Sequence, residues 1–380
     1  MSRIVEVPHL LCGYALGHGF CGEQIPIRRS GILTSEDGEQ LYRQLEGVSE
    51  AYAAAFGPGG VSPSQVDHFL AVIRPDRQAT LYCNELQLIA GIRINRVSRD
   101  GIRTGEAIFG NDVADVESLE LRDASGNPVV IPDDHGFCFV LSHRWRKALI
   151  FDYSVFPPNP RRRTENLTRV FGHAMGQLMF QEMYSVSETQ WARLFEWGWF
   201  PFVGLTHQHR RSLLSWANND RYPAPLMEEI CFAFAANLED RVEVWRQRHE
   251  LVVPQTGFLT TALERFRAND NVSCISVLYP RIEGVMRTLF AEENSKPRPD
   301  QNEMVTNLVE NQHPDSLLLP HRFGEYLNAV YFQGFDLSKG NLPLSRHSHA
   351  HGVSQAGDYD FIRAVVGFMI FDQLCHYLTD

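Results

Sequence analysis

An arginine and three alternating histidines lie close together near the end of the chain, in the segment 341–360 (NLPLSRHSHAHGVSQAGDYD). They are Arg346, His347, His349 and His351. Arginine carries a fixed charge on a planar fork that fits phosphate, and histidine exchanges protons near neutral pH. Cleavage of RNA needs a base that deprotonates the 2′-hydroxyl and a cation that stabilises charge on the phosphate oxygens. The segment therefore predicts His351 as the base or acid and Arg346 as the phosphate clamp, with neither a metal nor a cofactor.

The spacing of Arg346 and His351 limits how they can act together. Five residues correspond to about 500°, so the two side chains would lie about 140° apart around one regular helix. The segment could be a turn that leads into a helix beginning near Gly357, or a second subunit could complete the site. A single short helical turn is a further arrangement, since Pro343 is a weak start signal and Gly352 a stop signal.

The RxxxxH spacing, with polar His347 directly after Arg346 and an apolar helix behind His351 (DFIRAVVGFMIFDQL), resembles the signature of the HEPN superfamily of helical ribonucleases. The resemblance covers about residues 205–380. It implies a compact helical bundle, usually dimeric, in which two motifs meet in a cleft and cut RNA without a metal. It also implies Arg346, His347 and His351 as the functional set. Many members carry an upstream acid, which here matches Glu283 in LYPRIEGVMRTLF.

The resemblance also implies partners and a biological role. Such proteins often act as toxins or as anti-phage defence effectors, so we expect an RNA substrate, a homodimer through the helical domain, and an antitoxin or sensor partner. Two features of the sequence depart from the HEPN signature. His349 is an extra histidine, expected to support the site, and Arg363 is the one nearby basic residue in a poorly basic environment.

Basic surface for RNA must therefore come from elsewhere, and residues 143–169 supply a candidate. This segment holds seven basic residues against two acidic ones, a local excess of +5. Each phosphate that they neutralise would add salt-dependent affinity. A solvated linker is the other interpretation. The expected RNA-binding residues are Arg144, Arg146, Arg161, Arg162 and Arg163.

Two other classes of function compete with the nuclease interpretation. In an extended segment, HxHxH points alternate side chains to one face and could hold a metal in a hydrolase, with Asp358, Asp360 or His376 completing the ligand set. No HExxH motif is present. The other class is a non-catalytic helical interaction module, in which Arg346 and His351 stabilise a dimer. A purely structural interpretation is a polar loop or helix cap, in which Arg346 pairs with Asp358 or Asp360.

Composition excludes several broad classes of protein. The chain has 380 residues, 44% of them hydrophobic, and a net charge of −11, which argues against a DNA-coating role. Its seven cysteines are scattered and never spaced CxxC, so neither a disulfide framework nor a cysteine-rich zinc ribbon is indicated. No secretory signal is visible, and the longest apolar run, 361–371, is too short to span a bilayer. We expect a cytoplasmic protein without a membrane segment.

Patterning along the chain predicts an α+β protein with two main parts. Residues 1–158 form a β-rich domain of unknown role, residues 159–204 a helical connector, and residues 205–380 the HEPN-like helical domain. Pro157-Pro158-Asn159-Pro160 marks the boundary, because it interrupts regular structure. Strands are expected at 69–73, 79–94, 118–121, 137–142 and 148–155, and helices at 35–56, 164–183, 187–198, 207–218, 225–249, 257–268, 271–292, 319–333 and 357–378.

Overall fold

The chain is an α+β protein, with an antiparallel sheet in its N-terminal half and helices in its C-terminal half. This confirms the predicted fold class. The structure is a computed structural model. It describes residues 3–6, 30–34, 62, 65–76, 78–95, 103–143, 147–153, 166–248, 250–294, 298–338 and 345–378.

Three sequence predictions lie outside the described residues. They are the helix at 35–56, the boundary at 157–160, and the RNA-binding arginines, namely Arg144, Arg146 and residues 161–163. All three stay predictions.

The chain divides into two compact units. The first contains residues 1–92 and 116–181, and the second contains residues 93–115 and 182–380. Helix α1 (Leu167–Met179) therefore belongs to the same unit as the sheet, although the sequence placed it in a connector.

The first unit contains a six-stranded antiparallel sheet with the strand order β1-β4-β3-β7-β8-β2. Two hairpins, β3–β4 and β7–β8, lie next to each other through the pairing of β3 with β7. Strands β5 and β6 form a separate two-stranded sheet. The bounds are β1 Arg3–Glu6, β2 Ser30–Thr34, β3 His68–Ile73, β4 Gln78–Cys83, β5 Gln87–Ile94, β6 Val113–Arg122, β7 Gly136–His143 and β8 Lys147–Tyr153.

Alternating side chains build the core of this unit. Phe137 and Phe139 of β7 lie two residues apart and so share a face of the sheet, where they join Phe151 of β8. Phe171 of α1 packs on these rings, with its centroid 4.8 Å from that of Phe139 and 4.9 Å from that of Phe151. The short apolar runs in the sequence are therefore strands covered by a helix.

The predicted strand at 79–94 is wrong as one element. Asn84 interrupts it with a φ of 55°, a left-handed conformation that asparagine tolerates better than most residues. Its side-chain oxygen accepts hydrogen bonds from the backbone N–H groups of Asp67 and His68, both at 3.0 Å. The turn at Asn84 therefore separates β4 from β5.

The second unit is helical, and most of its helices lie where the sequence predicted them. The expected helix at 225–249 is two helices, and one helix, α8, lies between the expected helices at 271–292 and 319–333, where none was predicted. None of the helices in the described ranges combines the length and the apolar character required to cross a membrane. After α1, the bounds are α2 Glu188–Glu196, α3 His207–Trp216, α4 Ala224–Ala235, α5 Leu238–Arg248, α6 Thr256–Arg267, α7 Asn271–Glu293, α8 Gln301–Glu310, α9 Pro320–Tyr326, α10 Arg346–Ala350 and α11 Phe361–Cys375.

Helix α11 is the centre of the helical unit. All of its residues from 364 to 375 are buried, and it packs against α4, α5 and α7. Gly367 allows α11 to approach α7 closely, since a methyl group there would lie 2.9 Å from Cε1 of Tyr279. This contact fixes Tyr279, which also reaches the candidate site described below.

Buried polar side chains of α11 bind the elements around it. Asp372 accepts hydrogen bonds from Arg241 Nη1 at 2.8 Å and from Trp245 Nε1 at 2.7 Å, both on α5. Gln373 accepts a hydrogen bond from Val203 N at 2.7 Å and donates one to Leu318 O at 3.2 Å. Such groups are tolerated in a core because they are partnered.

Replacing Asp372 with alanine would leave the buried Arg241 guanidinium without its carboxylate. Breaking a buried ion pair from one side typically costs about 3–5 kcal/mol, and we expect a loss of this size in the free energy of unfolding. Urea unfolding followed by tryptophan fluorescence measures it. The control is Asp220→Ala, because Asp220 is 94% exposed and its ion pair with Arg193 should contribute about 1 kcal/mol or less. Equal losses in the two variants would contradict the prediction.

Candidate functional site

The histidine segment forms a short helix, α10, held by its N-terminal cap. Ser345 and Ser348 make a reciprocal capping box, in which the hydroxyl of Ser348 accepts from the backbone N–H of Ser345 at 2.8 Å. The Ser345 hydroxyl also donates to Gln333 O at 2.7 Å. The helix ends at His351, followed by Gly352 with a φ of 66°. Of the arrangements that the sequence left open, the chain adopts the short helical turn.

Arg346, the first residue of α10, forms an ion pair with Glu283 of α7. Arg346 Nε lies 2.8 Å from Glu283 Oε2, and the two side chains are 21% and 14% exposed. The Nε–H group is not aligned for a hydrogen bond, so the contact is a charge pair. The other carboxylate oxygen accepts from Arg287 Nε at 2.8 Å. The expected pairing of Arg346 with Asp358 or Asp360 is wrong.

The closest approach of Glu283 to Arg346 is at Nε, the inner donor of the guanidinium. Within the part of the chain that the structure describes, neither Nη group of Arg346 makes a hydrogen bond. These groups carry the parallel donors that match a phosphate. The acidic partner therefore orients the arginine without covering the donors that would bind an anion.

His347 lies on the side of α10 that faces α8. Its Nε2 lies 3.0 Å from Oε1 of Gln301, the first residue of α8. This contact joins α10 to the first turn of α8. The ring also packs beside Phe332, with the centroids 6.1 Å apart.

His351 is exposed at the C-terminal end of α10. Its ring lies beside that of Phe335, with the centroids 5.4 Å apart. Four residues separate it from His347, so the two histidines project from the same side of the helix. Over the described residues, no hydrogen bond or ion pair joins His351 to Arg346. One copy of the chain thus does not bring the two principal candidates into contact.

His349 points away from the other two histidines. Its Nδ1 lies 2.9 Å from the hydroxyl of Tyr359, and its ring makes an edge contact with Tyr279, with the centroids 6.5 Å apart. Burial lowers the pKa of His349, and the positive charge of Arg346 lowers it further. The neutral ring is therefore favoured, and the predicted supporting role becomes one of packing between α10 and α7.

Two tyrosines connect α10 to the core of the helical unit. The hydroxyl of Tyr331 donates to the backbone carbonyl of Tyr279 at 2.6 Å. Burial raises the pKa of Tyr331 well above its ordinary value, and the charge of Glu283 raises it further. Tyr331 therefore stays protonated and keeps its hydrogen bond to α7, the helix that carries Glu283.

A metal centre of the HxHxH type requires an extended segment, and that expectation is wrong because the segment is helical. His347 contacts α8, His349 contacts Tyr359, and His351 contacts Phe335. No group of three or more metal-binding side chains occurs among the residues described.

Sequence reasoning missed several contributors to the site. Gln301 and the whole of α8 were overlooked, although Asp300 and Glu303 have the spacing of a capping box, which the structure contains. The spacing of Ser345 and Ser348 is a similar signal for α10. No pattern in the sequence indicates the contact of Phe335 with His351, because only the fold brings the two rings together.

The site geometry predicts how His349 titrates. Its NMR titration midpoint should lie below 6.5, and Arg346→Gln should raise it by removing the nearby cation. Since the folded state binds this proton less readily than the unfolded chain, His349 favours folding above about pH 6.5, and that contribution is lost as the pH falls. The matched control is Arg287→Gln, which should leave the midpoint unchanged. A midpoint that Arg346→Gln does not move would contradict the placement of these residues.

Comparison of the chain with protein-family models, with curated proteins and with solved structures finds no match.

Proposed function

We propose that this chain is a metal-independent endoribonuclease of the HEPN type. The observation that carries the proposal is the ion pair between Arg346 and Glu283. The two residues are 63 positions apart in the sequence, and the resemblance implied both. This pairing holds Arg346 at its inner donor, Nε, and supports a role for the guanidinium in binding a phosphate.

The proposed reaction uses the 2′-hydroxyl of the substrate as the nucleophile. A histidine takes the proton of that hydroxyl, and the 2′-oxygen attacks the adjacent phosphorus. Arg346 stabilises the negative charge on the non-bridging oxygens, and the bond to the 5′-oxygen breaks as that oxygen gains a proton. The products are a 2′,3′-cyclic phosphate and a 5′-hydroxyl. His351 is the proposed base or acid, because its ring is exposed, and His347 assists from the same side of α10.

The proposed active unit contains two copies of the chain. Arg346 and His351 face different neighbours within one copy, so a single copy leaves the site incomplete. In the proposed dimer, Arg346 of one chain lies near His351 of the other, and a twofold axis repeats that contact, so the dimer has two equivalent sites. The proposed setting is that of a toxin or an anti-phage defence effector held in check by an antitoxin or a sensor.

The alternative is a non-catalytic module in which α10 stabilises a helical assembly. The same ion pair favours it, since Glu283 already neutralises Arg346 and the capping serines are buried. The two functions differ in what they require of His351. A nuclease needs its imidazole, whereas an interaction module tolerates its loss.

The principal test is cleavage of labelled single-stranded RNA by the pure protein in the presence of EDTA. We expect products that end in a cyclic phosphate, and a loss of about 100-fold or more in rate for Arg346→Ala and for His351→Ala. His321→Ala, which changes an exposed histidine at a distance in sequence from α10, should cut at the normal rate. Intact RNA in every reaction, or equal rates for all variants, would refute the proposal. Cleavage that EDTA abolishes would favour a metal-dependent hydrolase.

A mixing experiment tests whether two chains share the site. Arg346→Ala and His351→Ala chains, each inactive alone, are co-refolded in equal amounts. Random pairing makes half of the dimers mixed, and each mixed dimer retains one intact site of two, so about one quarter of the normal activity should return. If the mixture stays inactive while mixed dimers are present, each chain carries its own site.

A further inference from the structure

The helical unit contains an aromatic cavity that the proposed reaction does not use. Its volume is about 370 Å³, within the range typical of small-ligand sites. Six aromatic residues line it, together with a few aliphatic and charged side chains. The aromatic residues are Trp197, Trp199, Tyr222, Tyr279, Tyr326 and Tyr331.

The floor of this aromatic cavity is rigid, because its tyrosines are fixed by hydrogen bonds. Tyr326 donates to Gly198 O at 3.1 Å and Tyr331 donates to Tyr279 O at 2.6 Å. Trp199 is also fully buried. The floor thus needs no rearrangement to receive a ligand.

The mouth of the cavity carries aromatic surface in contact with water. Tyr222 is 38% exposed, and Trp197 is half-buried beside it, with the two rings 5.9 Å apart at 84°. Two large rings at an open mouth offer faces on which a flat aromatic ligand can stack. Trp191 and Trp197 belong to the same stretch of sequence but lie in different environments. Trp191 is buried in the core, whereas Trp197 lies at the mouth of the cavity.

Charged groups at the cavity suit a ligand with an anionic end. The backbone N–H of Arg363 donates to Asp360 Oδ1 at 2.7 Å, but its guanidinium has no hydrogen-bond or ion-pair partner among the residues the structure describes. Arg363 lines the same cavity as Tyr222 and Tyr279. The charge of its guanidinium opposes the effect of burial on the pKa values of both tyrosines. Two carboxylates, those of Glu196 and Asp360, line the cavity as well, and among the described lining residues the guanidinium of Arg363 is the one group with which a phosphate would pair.

The aromatic cavity shares a wall with the candidate site. Tyr279 lines the cavity and also contacts the ring of His349 on α10. Tyr331 lines it as well, and its hydroxyl responds to the charges of Glu283 and Arg346. The aromatic cavity and α10 are therefore neighbours in the helical unit, because both contact Tyr279.

We propose that the aromatic cavity is a subsite for one unpaired base of the RNA substrate, with the base stacked on Trp197, the edge of the base near Tyr222, and its phosphate paired with Arg363. This subsite rests on the proposed nuclease function. The carboxylates of Asp360 and Glu196 at the cavity accept hydrogen bonds and donate none, so they favour a base whose edge carries adjacent donors. Guanine presents two such donors, and uracil presents one.

The test is the binding of 5′-GMP and 5′-UMP to the full-length protein, measured by calorimetry without RNA cleavage. We expect GMP to bind more tightly than UMP. Trp197→Ala and Arg363→Gln should each weaken GMP binding roughly tenfold or more, as expected for loss of a stacked base or a phosphate contact. The matched controls are Trp216→Ala and Arg265→Gln, which change an exposed tryptophan and an exposed arginine outside the cavity. Thermal unfolding establishes that all four variants are folded.

The outcomes separate the subsite from the nuclease. Nucleotide binding that the cavity variants weaken, in a protein that cuts no RNA, supports the nucleotide site and refutes the nuclease. RNA cleavage with unchanged GMP binding in Trp197→Ala and Arg363→Gln overturns the subsite and leaves the nuclease standing. Equal affinity for GMP and inorganic phosphate would also overturn it, since the base would then contribute nothing.

Discussion

The close packing of α11 against α7 is the constraint on which the helical unit depends. Gly367 permits it, because any side chain at that position would collide with Tyr279. Tyr279 then lies between two functional candidates, with His349 on one side and the aromatic cavity on the other. The polar side chains Asp372 and Gln373 fix the same helix to α5 and to the segment around Val203. The geometry of both candidates thus follows from one tightly packed helix pair.

The fold class and most elements could be predicted from the sequence, because their signals are local. Hydrophobic periodicity located α7 and α11, and short apolar runs between turn residues located β3, β7 and β8. The predicted element bounds are wrong where a single side chain determines where a strand ends or a helix begins. Asn84 ends β4 through hydrogen bonds to a neighbouring segment, and the capping box of Asp300 and Glu303 begins a helix within a polar stretch.

The candidate site could be predicted only in part. Residue types identified Arg346, His347 and His351, and the resemblance added Glu283, which the fold brings to Arg346. The other contacts are long-range, such as those of His347 with Gln301 and of Ser345 with Gln333. No pattern within a short window of sequence encodes them, since they exist only when separate helices pack together. The aromatic cavity escaped sequence reasoning for the same reason.

Helix α10 is five residues long, and a helix of that length cannot sustain itself in water. Its conformation depends on anchors from outside, namely the Gln333 carbonyl that receives the Ser345 hydroxyl and the Glu283 carboxylate that holds Arg346. The arginine and the histidines therefore take up their positions only in the assembled bundle. In a nascent or partly unfolded chain these side chains would lie apart, so the arrangement of the candidate site is a property of the folded bundle alone.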